Sequence, residues 1–263
     1  MGILQSQIIQ DKAIGVLPES QARSQLVDLF VSNYRVRLAN SVELMEEAFR
    51  LRYKVYCEER AFESGDNFLN RMESDSFDSH SEHFLIQELA TGRYVGTVRL
   101  VHSCLNGESV ETPISKYCSH AFYNADQFKN LDHRYVEISR FAVTSCSRIN
   151  LLDTLSGRFS NGQVGRLGYS VASVALAYCC LARFQLIEGL DVAYSMMEPR
   201  LAVLLSRMGI KSARVGRPVE YHGTRAPYVW NKQVETTHFN SDQLAFFNTV
   251  CHSLQHQFGQ NLT

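Results

Sequence analysis

Residues 135–144 contain three polar side chains in a stretch that otherwise reads as a buried strand. Val136, Ile138, Phe141, Ala142 and Val143 make a β-branched and aromatic run of strand length. Glu137, Ser139 and Arg140 interrupt it. Alternation puts Glu137 and Ser139 on one face and Arg140 on the other, unless a bulge re-aims the arginine. A carboxylate and a guanidinium in a central strand cost free energy unless they are paired or working. One explanation is an ion pair that only fixes register. The other is chemistry. A half-buried carboxylate beside a sheet opening can take a proton as general base, directly or through a water. Ser139 and backbone N–H groups near a bulge can hold an oxyanion, each donor contributing ~3 kcal/mol.

Such a strand needs neighbours to place it, and the chain supplies them on both sides. Tyr34–Leu38 alternates as a first strand. Ser41 is a good N-cap for a helix carrying Leu44, Ala48, Leu51 and Val55 and running to about Cys57. A polar stretch of about twenty residues follows, a length that in a compact domain is usually functional or mobile. Residues 83–88 and 94–102 read as a hairpin turning at Thr91-Gly92-Arg93, and a short helix is expected near 113–122. After the polar strand, Val164, Leu167, Val171, Val174, Tyr178 and Leu181 predict a long helix with one apolar face. Strands are expected at 191–196, 210–215 and 228–234. Between the first two of these, Pro199 suits a helix first turn and Gly209 a helix end. The expected organisation is an N-terminal arm and helix (1–33), one main domain (34–240) and a C-terminal amphipathic helix (241–263) carrying Leu244, Phe247, Cys251, Leu254 and Phe258.

Composition excludes several classes. With 45% hydrophobic and 20% charged residues the chain is an ordinary globular protein with enough length for a full core. No apolar run reaches the ~18 residues that span a bilayer, and the N-terminus lacks a secretory pattern. Seven cysteines without C-x-x-C or regular spacing argue against a disulfide framework and a zinc site, and point to a reducing cytoplasm. Asp75, Asp78, His80 and His83 also lack the spacing of a metal site, so no metal is expected. Net charge is −1, yet residues 1–133 hold 13 Lys/Arg against 19 Asp/Glu while 134–263 hold 13 against 8. A basic second half can steer an acidic partner. It lacks the features of a nucleic-acid surface.

Four local motifs, in order, resemble those of acyl-homoserine-lactone synthases: Arg52-x-x-Val55-Tyr56, Asp75-x-x-Asp78, Val98-Arg99-Leu100, and Glu137-Ile138-Ser139-Arg140-Phe141-Ala142-Val143. Phe62 stands about where that family carries a tryptophan, a departure that bears on the acceptor pocket. Residues 216–228 are foreign to the lactone synthases. They resemble the C-terminal region of acyltransferases associated with PEP-CTERM/exosortase systems and of N-acyl amino acid synthases. The resemblance implies an α+β GNAT acyl-CoA N-acyltransferase-like fold, a mixed twisted central sheet flanked by helices.

The activity it implies is transfer of a fatty acyl chain from acyl carrier protein, or from acyl-CoA, to the amino group of an amino acid or similar small amine. A lactone synthase is the alternative product class, and a non-catalytic acyl- or lipid-binding module the alternative of another kind. A thioester needs no metal or organic cofactor to be attacked by an amine, so none is expected beyond the phosphopantetheine thioester of the donor. Glu137 and Ser139 are the expected catalytic residues. Arg52, Tyr56, Phe62, Asp75, Asp78, Arg99 and Arg140 are expected to shape the acceptor pocket, with a network pinning the long loop to the sheet as the other reading of the charged ones. Gln163–Gly168 has the composition of a GNAT phosphate cradle in the wrong register, which favours a carrier protein over free CoA. Arg148, Arg158 and Arg166 are the candidate carrier contacts, or else solvated loop arginines.

Overall fold

The computed structural model describes residues 25–125, 128, 134–145, 171–232 and 238–258. Arg148, Arg158, Arg166, Val164 and Leu167 lie outside the described residues. In chain order the elements are α1 (Gln25–Asn33), β1 (Tyr34–Leu38), α2 (Val42–Tyr53) continued by a π-helical turn (Lys54–Glu59), and the hairpin β2 (Ser81–Glu88) and β3 (Tyr94–His102). A two-residue ribbon, β4 (Cys104–Leu105) with β5 (Glu108–Ser109), and the short helix α3 (Pro113–Tyr117) lead to β6 (Val136–Val143). Then come α4 (Val171–Leu186), β7 (Val192–Met197), α5 (Pro199–Arg207), β8 (Ala213–Arg214), β9 (Val219–Glu220), β10 (Thr224–Asn231) and α6 (Ser241–Phe258).

The main sheet runs β1-β2-β3-β6-β7-β10-β8, with β9 paired to β10, so the polar strand β6 is at its centre. Every pairing is antiparallel except β6 with β7, which are parallel. Alternation sorts the sheet's two faces. Phe84 and Ile86 join the large core with Phe30, Tyr178, Phe246 and Leu254 of the helices α1, α4 and α6. Leu85, between them, packs instead with Ala48, Leu44 and Met45 of α2. Burying each such side chain contributes ~1.5–3 kcal/mol. Ser41 caps α2 as its type predicts, accepting a hydrogen bond from the Leu44 N–H. Gly209, at φ 84°, takes the left-handed turn that ends α5.

Three expectations change. The helix α4 was expected to bury one face, yet twelve of its residues are buried. It is a central helix, with the sheet on one side and α6 on another, and Ala172, Ala175 and Ala182 let those neighbours come close. The last strand starts at Thr224 rather than 228, because His222 and Gly223, both at positive φ, turn β9 back onto β10. The long polar loop is built rather than loose. It contains two short 3₁₀ turns, Gly65–Asn67 and Ser76–His80, and Asp75 and Asp78 cap the second reciprocally.

Candidate active site

Strands β6 and β7 pair at only two positions, Val136 with Ala193 and Glu137 with Tyr194. Beyond these the strands line opposite walls of a cleft of about 490 Å³. Ile138, Ser139, Arg140 and Phe141 come from β6, and Ser195, Met196 and Met197 from β7. The β6 side also carries a bulge. Thr97 pairs with Ala142 and Arg99 with Ser139, so Arg140 and Phe141 together face one residue of β3. Arg140 has φ 52°, the left-handed region, which re-aims its side chain. Tyr56, from the π-helical turn, donates its hydroxyl proton to the Phe141 carbonyl at 3.1 Å.

A narrow polar pocket of about 30 Å³ adjoins the cleft and shares Tyr56, Phe62, Ser139, Arg140, Met196 and Arg225 with it. Glu137 lines this pocket, together with Tyr221 and His222. The Glu137 side chain is almost fully buried. Burial pushes its carboxyl up to about 7, against the pull of the Ile114 N–H and of the Arg99 and Arg140 charges. The Ile114 N–H, which donates to Glu137 Oε2 at 2.7 Å, belongs to the first turn of α3 and has no partner within the helix. Thr112 and Ser115 cap that turn reciprocally and fix the N–H in place. Ser139 accepts a hydrogen bond from Arg99 Nε at 3.1 Å, which leaves its own hydrogen free to donate. Beyond the far side of the cleft, an apolar slot is lined by Ile138, Phe141, Ala177, Leu181, Phe184 and Trp230.

The expected network of arginines and aspartates exists and closes into a ring. Arg52 donates to Glu73 and to Asp78, Arg99 to Asp78 and Asp75, and Arg140 to Asp75 and Glu73. Three guanidinium groups alternate with three carboxylates, so the net charge is zero. Arg52 and Arg99 are fully buried. The arginine charges hold the Glu73 and Asp78 carboxyls below their ordinary range despite burial. His83 packs beside Asp78, 3.4 Å away, and burial together with Arg52 pushes it down to about 4, so it is neutral. Of the five charged residues expected at the acceptor, only Arg140 is among those lining the pocket and cleft. Arg52, Arg99, Asp75 and Asp78 are not among the lining residues; their side chains pair within the ring. Tyr56 and Phe62 do line the cavity.

Three residues of this region escape a reading of the sequence. Glu73 lies two positions before Asp75 and completes the ring; three arginines facing two aspartates were the signal that a carboxylate was missing. Tyr221 and Arg225 come from the segment 216–228. That segment is pinned where a Cβ on Gly216 would collide with the Ala121 carbonyl oxygen, while the Arg217 N–H donates to the same oxygen at 2.7 Å.

Residues 51–154 match the acetyltransferase (GNAT) domain family. The described residues carry a GNAT-like fold. TofI, solved in a ternary complex with an inhibitor and MTA, superposes with a TM-score of 0.55 at 18% identity over 83% of this chain and 99% of that one. FeeM, an N-acyl amino acid synthase from uncultured soil microbes, gives 0.52 at 13% identity over 80% and 97%. LasI, an AHL synthase, gives 0.52 at 21% identity over 82% and 95%. No curated protein matches the chain by sequence. The bulge at Arg140 is the one that strand alternation had left open as the means of re-aiming this arginine.

Proposed function

We propose that the protein is an N-acyltransferase that moves a fatty acyl chain from a phosphopantetheine thioester to the amino group of an amino acid or similar small amine. One observation carries this reading: the Glu137 carboxyl, pushed up to about 7, lines a polar pocket that adjoins the cleft between the parted strands. A pantetheine arm suits a cleft with unpaired strand edges, and an acyl chain suits the apolar slot beyond Phe141. The amine suits the Glu137 side.

In the step proposed, the amine nitrogen attacks the thioester carbon, the new C–N bond forms, and the C–S bond breaks. Glu137 takes the proton released by the nitrogen and gives it up to the departing sulfur, which leaves as a thiol, so that the carboxylate is regenerated. Ser139 and the N–H groups at the bulge stabilise the oxyanion. Direct transfer is favoured over an acyl-cysteine intermediate. Cys118, the thiol close enough to feel the Glu137 charge, is buried and pushed up to about 12. A thioester is already activated, so the reaction calls for no metal or organic cofactor. Arg60 and Arg200, exposed on the rim of the cleft, favour an acidic acyl carrier protein as donor over free CoA. The free cysteines fit a reducing cytoplasm. Among the described residues no helix is long and apolar enough to cross a membrane.

Lipid extracts from cells expressing the protein, compared by mass spectrometry with those expressing Glu137→Ala, test the proposal. New N-acyl amides absent from the variant support it and name both substrates. No new species, even in vitro with long-chain acyl carrier protein, acyl-CoA and an amine panel, would leave a non-catalytic acyl-binding module. The likeness to LasI favours a lactone synthase as the second reading; release of methylthioadenosine during turnover would single it out.

A further inference from the structure

We propose that Arg225 reads a carboxylate on the acceptor, so that the acceptor is an amino acid and not a simple amine. The inference rests on the acyltransferase reading and deepens it. Two arginines line both the polar pocket and the neighbouring cleft, Arg140 and Arg225. Their circumstances differ. Arg140 donates to Glu73 and Asp75 and belongs to the neutral ring. Arg225, half-buried on β10, has no carboxylate within ion-pair distance among the described residues. Its hydrogen bonds go from Nε and Nη2 to the His222 carbonyl, at 3.4 and 3.2 Å. Its guanidinium carbon lies 5.8 Å from the centre of the Phe62 ring.

A guanidinium carries five donors in a planar fork suited to a carboxylate. A half-buried one held against an aromatic ring, with a single neutral acceptor, has donors to spare and an unbalanced charge. Across the same pocket stands Glu137, the group that would take the amine's proton. One carboxyl and one uncommitted guanidinium on a single narrow pocket match the two ends of an amino acid zwitterion. Arg52 and Arg99, the other buried cations of the region, cannot serve, since both are fully buried and paired. Glu63 and His222 also line the pocket and lie 3.4 Å apart. Neither of their side chains pairs with Arg225, whose hydrogen bonds go to the His222 backbone carbonyl.

The test compares kcat/KM for amino acids with that for the corresponding decarboxylated amines, tyrosine against tyramine and leucine against isoamylamine, with long-chain acyl carrier protein or acyl-CoA as donor. A charge-assisted hydrogen bond to the carboxylate predicts a preference of ~10–100-fold for the amino acid. Arg225→Gln should abolish that preference, lowering kcat/KM for the amino acid ~10–100-fold more than for the amine, while an unchanged circular-dichroism spectrum and urea midpoint show that the variant is folded. Arg225→Lys should retain part of the preference. An unchanged preference in Arg225→Gln, or an equal loss on both acceptors, overturns the inference and leaves the acyltransferase standing. Absence of turnover with every amine and both donors overturns the acyltransferase reading itself, and the inference with it.

Discussion

Two clusters of buried charge share strand β6 and differ in how the charges are balanced. In the ring of Arg52, Glu73, Arg140, Asp75, Arg99 and Asp78, each group meets two of opposite sign, and the Glu73 and Asp78 carboxyls are held low. In the pocket a few residues away, Glu137 has hydrogen-bond support but no ion-pair partner among the described residues, and burial raises it to about 7. The same residue types thus do opposite work. A balanced buried carboxylate stays ionised at every ordinary pH and can tie a loop to a sheet. An unbalanced one is poised to exchange a proton. Unpaired charge, more than charge as such, marks the part of this molecule suited to chemistry.

The largest expected effect tests that contrast directly. Glu137→Gln keeps an acceptor for the Ile114 N–H and removes the titrating group, so turnover should fall by ~10²–10⁴-fold. Its effect on stability should have the opposite sign to that of an ordinary active-core substitution. The folded pKa of Glu137 lies above the ordinary 4.5, so between those values the folded state binds the extra proton. Stability therefore falls as pH rises from about 4.5 to about 7, by roughly 3 kcal/mol in all. Glu137→Gln escapes that loss and should resist urea better than the parent at pH 8. A variant that is less stable at pH 8 would erase the distinction between the two clusters.

Glu73→Ala is the counterpart in the ring. It leaves Arg52, which is fully buried, with Asp78 as its one remaining carboxylate among the described residues, and should cost ~3–5 kcal/mol in denaturant unfolding. A loss below ~1 kcal/mol would mean that the ring does not hold the loop. The pH profiles should separate the clusters again. Activity should rise with pH to a plateau above about 7 as Glu137 loses its proton, and this limb should shift with Glu137 and with the arginines whose charges reach it, Arg99 and Arg140, but not with Glu73→Gln. Stability contributed by the lowered carboxyls behaves in the reverse sense, present above their ordinary values and lost only in acid. Glu82, which Arg183 and His102 hold down to about 2, should lose its share as pH falls from about 4.5 to about 2.

Much of the frame was legible in the sequence because it follows local rules. The first strand, the Ser41 cap, the hairpin at Gly92 and the Pro199–Gly209 helix depend on alternation, capping and turn chemistry within a few residues. Glu137, Ser139 and Arg140 stood out because a buried strand has no reason to carry them. What stayed hidden is what depends on tertiary approach. Glu73 meets Arg52 across 21 residues and Arg140 across 67, a distance at which neither charge constrains the other locally. Arg225 gains its meaning only when the turn at Gly223 lays β10 beside the pocket. The all-round burial of α4 was likewise invisible, because a one-faced apolar pattern cannot show that a second layer, α6, covers the other side.

The smallest expected effect sharpens the comparison most economically, because it holds helix and side-chain type constant. Arg50 and Arg52 are two residues apart on α2, and both contact two carboxylates. Arg50 meets Glu46 at 2.6 Å and Glu47 at 2.8 Å, geometry as good as that of the ring. It differs in facing solvent, where water and salt screen the attraction and two long side chains lose entropy to hold one arrangement. Glu46→Gln should therefore leave the urea midpoint unchanged within error, in low salt and in high. The same change of one carboxylate to an amide at Glu73 leaves a dry guanidinium short of a partner that no solvent can replace, so Glu73→Gln should lower the midpoint measurably. If both amide variants were silent, distance alone would have been misread as energy in the ring; if both were damaging, exposure would not be the property that separates the clusters.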